Sequence, residues 1–221
     1  MIGSGETFVA VLIQPSGRGY HVGLVYRHGA MSDAIAVDFI GGPPHVGVFR
    51  GDRNTYLASV IIPDPHLRAA VASTLGAFLE LYRDENDKSR NVPYSVHMSK
   101  ELHFDDLLRF TGNESNGDGM TCTTFVAGLL QMSAYPIVDL STWESRPDDA
   151  AWQKNYLAKL RHHILAGAFE AQERRIDGRR LRPQELAAAA ACACVPVGFD
   201  LAARIGVLLD LTGPVYFCPE C

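Results

Sequence analysis

Five short apolar runs fill the first sixty residues, and turn residues separate each run from the next. Thr7 to Gln14 is apolar almost throughout (Phe8, Val9, Ala10, Val11, Leu12, Ile13), which predicts a strand covered on both faces. Pro15-Ser16-Gly17-Arg18-Gly19 then supplies turn chemistry. Further strands are predicted at Tyr20 to Tyr26, Ala34 to Ile40, His45 to Phe49 and Tyr56 to Ile62. The connections between them are too short for a crossover helix, so the pattern predicts antiparallel pairing, a meander rather than βαβ units.

Helical periodicity begins after this region. Asp64 is a cap and Pro65 a first-turn residue for a helix through Leu67, Val71, Leu75, Phe78, Leu79 and Tyr82. Asp84 to Asn91 reads as a loop, Val92 to Val96 as extended chain, and His103 to Phe110 as one or two helical turns. Beyond Pro147 the pattern is helical. Asp148 to Arg175 carries Trp152, Tyr156, Leu157, Leu160, Ile164, Leu165 and Phe169, and Pro183-Gln184-Glu185 opens an alanine-rich helix. Leu201 to Leu211 suits a helix or a strand. The expected class is α+β: an antiparallel sheet flanked by helices over residues 1–147, with a helical extension, 148–221, that covers one face or contributes to a substrate groove.

The chain has 221 residues, 47% hydrophobic and 20% charged, an ordinary globular balance. Net charge is −5, and the short basic cluster from Arg174 to Arg180 reads as a solvated helix end and loop, so no nucleic-acid footprint is expected. No apolar run reaches the length of a membrane span. Met1 to Glu6 lacks the basic and apolar regions of a secretory signal, so a cytoplasmic location is expected, with signal-independent secretion as the alternative. Five cysteines, an odd number, suit reduced thiols better than a disulfide frame.

One of those thiols sits where chemistry is favoured. A loop rich in Gly, Asn and Asp ends at Gly119, and Phe125, Val126, Leu129 and Leu130 then mark one face of a helix expected to end near Tyr135-Pro136. Thr121 is an expected N-cap, which places Cys122 on the first turn. Unpaired N–H groups and the positive end of the helix dipole favour a thiolate there. The competing reading is a small buried cysteine that packs the helix start.

A nucleophilic thiol needs a base and a group to orient it. If the strands around His21 and Asp38 form a hairpin, paired positions sum to about 59 or 60, and His21 lies nearly opposite Asp38. His45 opens a second His-Val-Gly triplet and competes with His21 for the role of base. Each has a bland alternative: a half-buried histidine for His21, a solvent-facing carboxylate for Asp38.

The order of His21-Val22-Gly23-Leu24-Val25, a polar residue on the next strand, Val92-Pro93-Tyr94-Ser95 and Thr121-Cys122-Thr123-Thr124-Phe125-Val126 resembles the circularly permuted branch of the NlpC/P60 superfamily. These are papain-like cysteine hydrolases, and the branch includes lecithin:retinol acyltransferase-like enzymes. The resemblance covers roughly residues 7 to 135. It implies Cys122 as nucleophile, His21 as base and then acid, Asp38 as the orienting group, and Tyr94 as a donor to the oxyanion beside the Cys122 N–H, against plain packing for Tyr94. Thr123-Thr124 and the long polar loop before the cysteine depart from the family pattern and leave the substrate class open. The function implied is hydrolysis of a peptide, amide or ester through an acyl-enzyme. A thiol acyltransferase and an inactive partner-binding module are the alternatives.

No cofactor is expected. Cys192-Ala193-Cys194 and Cys218-Pro219-Glu220-Cys221 place four thiols in two pairs, a pattern open to tetrahedral zinc, although unrelated cysteines are the reading preferred. Asp105-Asp106 and Asp148-Asp149 read as first turns of helices.

Overall fold

Strand β1 (Phe8–Ser16) pairs antiparallel on both edges, with β2 (Gly19–Arg27) and with β5 (Tyr56–Ser59). The computed structural model describes residues 6–16, 19–29, 31–42, 44–49, 56–82, 91–99 and 104–212. β3 (Ile35–Asp38) pairs with β2, and β4 (His45–Val48) with β3. The five-stranded sheet is antiparallel throughout, in the order β4-β3-β2-β1-β5.

The first four strands form the expected meander, but the fifth does not continue it. β5 crosses to the far edge and joins β1. The reason lies in β1 itself: Val9, Ala10, Val11 and Leu12 are all buried, and a strand apolar on both faces belongs inside a sheet rather than at its edge.

Helix α1 (Pro65–Tyr82) starts where Asp64 Oδ1 accepts the His66 N–H at 2.8 Å, and it buries Val71, Leu75, Phe78 and Tyr82 against β1 and β2. Helix α2 (Cys122–Met132) is buried from Thr123 to Leu130 and packs on β2. Phe125 is the hub. Its ring stacks on Phe39 at 4.9 Å and meets Phe78 and Phe104 edge-on, so the end of β3, α1 and α2 share one aromatic cluster. Truncation of such a ring costs about 3–5 kcal/mol.

Two helical expectations change. Phe104 to Phe110 is a tight loop, closed by a Phe104–Phe110 bridge, in which the Asp105 carboxylate accepts the Leu107 and Arg109 N–H groups at 2.9 Å each. A short acidic side chain that bonds its own backbone favours such a turn over a helix. The 148–175 pattern is two helices, α3 (Pro147–Leu160) and α4 (Ala166–Arg174). The break lets α4 fold back so that Gln172, fully buried, reaches the 94–96 segment.

Helix α5 (Pro183–Ala190) lays buried alanines, Ala187 to Ala190, against β1, β2 and β5, and the Ile61 N–H donates to the Ala190 carbonyl at 3.2 Å. Small side chains permit that close approach. The Leu201 to Leu211 run is helical, within α6 (Phe199–Thr212), which packs on α5. The fold is α+β, and among the described residues no helix is long and apolar enough to cross a membrane.

Candidate functional site

The N-terminus of α2 is built by a reciprocal cap. Thr124 N–H donates to Thr121 Oγ1 at 3.2 Å, and Thr121 N–H donates to Thr124 Oγ1 at 2.9 Å. The unusual Thr123-Thr124 pair is thereby explained: Thr124 completes the capping box, and Thr123 Oγ1 donates to the Leu181 carbonyl at 2.8 Å. These bonds hold Cys122 on the first helical turn, half-buried, facing a cavity of about 390 Å³. Its own N–H takes no acceptor among the described residues, as befits a first-turn donor.

His21 lines the same cavity. The register pairs Gly23, not His21, with Asp38, so paired positions sum to 61, one or two beyond the expected register. His21 and Asp38 still share a face of the sheet as diagonal neighbours. Gly23 accounts for the offset being harmless: a side chain there would stand 2.6 Å from the Val37 carbonyl oxygen and 3.1 Å from Asp38 Cβ. With that position empty, Asp38 Oδ2 comes to 3.8 Å from His21 Nε2, beyond hydrogen-bond length but close for an ion pair.

Burial pushes the His21 ring toward its neutral form, yet Asp38 and then Cys122 outweigh it and raise the pKa to about 9. The imidazole is therefore positively charged at neutral pH. His45 is exposed, pairs with Asp38 across β3 and β4, and lines a separate depression with Gln14 and Gly47. The cavity that holds Cys122 contains His21 and not His45.

Tyr94 is carried to the site by a short parallel bridge to Met120. The Met120 N–H donates to the Pro93 carbonyl at 2.9 Å, and the Ser95 N–H donates to the Met120 carbonyl at 3.1 Å. Gly119 makes this possible, since a Cβ there would lie 2.4 Å from the Pro93 oxygen. Burial first, then Cys122 and Tyr156, hold the Tyr94 phenol well above its usual pKa, so it stays a protonated donor.

The remaining wall comes from the C-terminal extension, for which a share in a groove is one of the two expectations above, although none of its residues was singled out as functional. Trp152, Tyr156 and Lys159 of α3 line the cavity together with Arg180. The Arg180 guanidinium lies 3.6 Å over the Trp152 ring, Trp152 stacks on Tyr156 at 5.0 Å, and Tyr156 leans on Tyr94 at 5.6 Å. The Arg174–Arg180 cluster is thus not merely solvated: Arg175 pairs with Asp118 at 2.7 Å, Arg179 with Asp177 at 2.6 Å, and Arg180 enters the cavity. The i, i+4, i+7 spacing of Trp152, Tyr156 and Lys159 was the available signal, but core periodicity looks the same.

Cys192 is buried and Cys194 exposed, while Cys218 and Cys221 lie outside the described residues. Among the described residues no group of three or more His, Cys, Asp or Glu side chains is placed to hold a metal ion. Asp105 belongs to the tight turn above, whereas Asp149, in the first turn of α3, is buried among arginines. Comparison with protein-family models, curated proteins and solved structures finds no match to the chain.

Proposed function

We propose that the protein is a cysteine hydrolase that cleaves an amide, peptide or ester bond through an acyl-enzyme on Cys122, in the manner of permuted NlpC/P60-like enzymes. The observation that carries this reading is the meeting of Cys122 and His21, remote in sequence, in one cavity with Asp38 behind the imidazole. The order of elements agrees with it: histidine on β2, then the cysteine at the start of a later helix packed on that strand.

In this mechanism the charged imidazolium of His21 is the counter-ion for the sulfur. Cys122 Sγ attacks the carbonyl carbon, and the oxyanion accepts hydrogen bonds from the Cys122 N–H and the Tyr94 hydroxyl. His21 gives its proton to the departing amine or alcohol as the C–N or C–O bond breaks. The ring, now neutral, takes a proton from water. The resulting hydroxide attacks the thioester, releasing the acid and regenerating the thiolate–imidazolium pair. Asp38 stabilises the imidazolium without being protonated itself.

The test is turnover on a panel of p-nitrophenyl esters and amino-acid anilides, with intact-mass detection of the acyl adduct. The wild-type protein is expected to acylate at Cys122, and Cys122→Ala to lose at least about a thousandfold in rate. A Cys122→Ala protein with undiminished turnover would sink the proposal.

A further inference from the structure

We infer that the cavity recognises an anionic oxygen group, carboxylate or phosphate, on the substrate, through Arg180 and Lys159. The inference rests on the thiol chemistry proposed for Cys122 and names the substrate class of that same site.

Among the described residues Arg180 makes no short hydrogen bond to any acceptor. Its nearest carboxylate is Asp149 Oδ1 at 3.8 Å, and that carboxylate already accepts from Arg182 Nε at 3.0 Å and from Arg146 Nε. Stacking on Trp152 at 3.6 Å covers the face of the guanidinium but leaves its in-plane N–H donors uncommitted, and those donors form the fork that fits a bidentate anion. The side chain is mostly buried, at 20% exposure. A cation so placed has lost hydration without gaining a full partner, and burial, as the largest influence, lowers its pKa. Lys159 lines the cavity as a second cation, with no carboxylate paired to it among the described residues.

The placement relative to the reacting atom is as informative as the charge. Arg180, Trp152, Tyr156 and Tyr94 form a continuous stack from the cation to the tyrosine beside Cys122. A substrate with its acyl carbon at Cys122 therefore lays an apolar or planar segment along this ladder and ends on the cations. A neutral acyl chain would leave the Arg180 donors with only Asp149 at 3.8 Å, at a cost in affinity.

Iodoacetate and iodoacetamide test this, because they alkylate the same sulfur and differ only in carboxylate against amide. The readout is the ratio of their alkylation rates at Cys122, which cancels any change in thiolate fraction. The ratio is expected to fall about threefold to tenfold in Arg180→Gln and by less in Lys159→Gln. Lys159 is exposed, so that variant retains the fold even if the first does not. An unchanged ratio in both variants overturns the inference while leaving the thiol chemistry intact. Failure of both reagents to label Cys122 counts against the thiol chemistry. Binding then decides the anion site independently, by titrating glutarate and inorganic phosphate into Cys122→Ala. Saturable binding that Arg180→Gln weakens supports the site, with the preferred anion naming its chemistry; no binding of either overturns it.

Discussion

At the scale of single residues, the charge on His21 governs what the site can do. A histidine with its pKa raised to about 9 binds its proton more tightly in the folded state than in the unfolded one, where the value is near 6.5. Its contribution to stability is therefore complete below about pH 6.5 and is lost as pH rises through about 9. The ring retains some solvent contact, so screening reduces the full linkage value to about 1–2 kcal/mol. A thermal melt series from pH 6 to 10 is expected to show this decline in the wild-type protein and a flatter profile in Asp38→Asn. Imidazole titration by NMR checks the cause directly. The His21 value is expected near 9 in the wild-type protein and lower in both Asp38→Asn and Cys122→Ala, since each partner raises it. An unshifted histidine in the wild-type protein would remove the resting ion pair from the mechanism.

At the scale of elements, Tyr94 depends on the meeting of two short extended segments just before α2. Gly119→Ala places a methyl group 2.4 Å from the Pro93 carbonyl oxygen, and because that oxygen is main-chain and bonded to the Met120 N–H it has little room to yield. A loss of about 1–3 kcal/mol is expected, measured by urea unfolding, together with a drop in Cys122 acylation as Tyr94 moves from the sulfur. Gly23→Ala is expected to act similarly on the other side of the site. Its Cβ would meet the Val37 oxygen at 2.6 Å and crowd Asp38, which lowers the His21 pKa in the same NMR titration. These elements also show what the sequence made legible. Cys122 opens α2 behind its cap, His21 and Tyr94 follow closely on Gly19 and Pro93, and local chemistry exposes such positions to view. The strand pairing was readable only to within two residues, because turn length constrains register without setting it when the intervening turn is irregular. The crossing of β5 to β1 was hidden, since it answers to the burial of β1 and not to the length of any loop. Arg180 was hidden for a similar reason: it lies in the segment before α5, and the indole beneath it, Trp152, belongs to α3.

At the scale of the whole molecule, the C-terminal helices are fastened to the Cys122 cavity by buried polar groups rather than by apolar contact alone. Gln153 Nε2 donates to the Val96 and Arg179 carbonyls at 3.0 Å each, and Gln172 holds Val96 N–H and the Tyr94 carbonyl, also at 3.0 Å each. Beneath them, Asp149 and Glu185, 1% and 3% exposed, tie α3 to α5 through Arg146 and Arg182. A buried carboxylate with several guanidiniums contributes little net stability against an apolar replacement of the whole cluster, but removal of one partner strands the rest. Asp149→Ala leaves Arg146, Arg180 and Arg182 facing one another with Glu185 and Asp148 as their remaining nearby anions, and is expected to cost about 3–5 kcal/mol. The exposed Arg109–Asp105 pair, 2.8 Å long with Arg109 at 65% exposure, is the control: Arg109→Ala is expected to leave the urea midpoint nearly unchanged. Urea unfolding followed by both tryptophan fluorescence and circular dichroism separates two architectures. Trp143 and Trp152 both lie beside the network, whereas circular dichroism reports the sheet as well. Because α5 lies on β1, β2 and β5, coincident transitions at lower urea are expected for Asp149→Ala by both probes. A variant whose fluorescence transition moved while the circular dichroism transition stayed would mean that the helices unfold apart from the sheet. The wall of the cavity that carries Trp152 and Arg180 could then be lost without the cysteine and histidine parting.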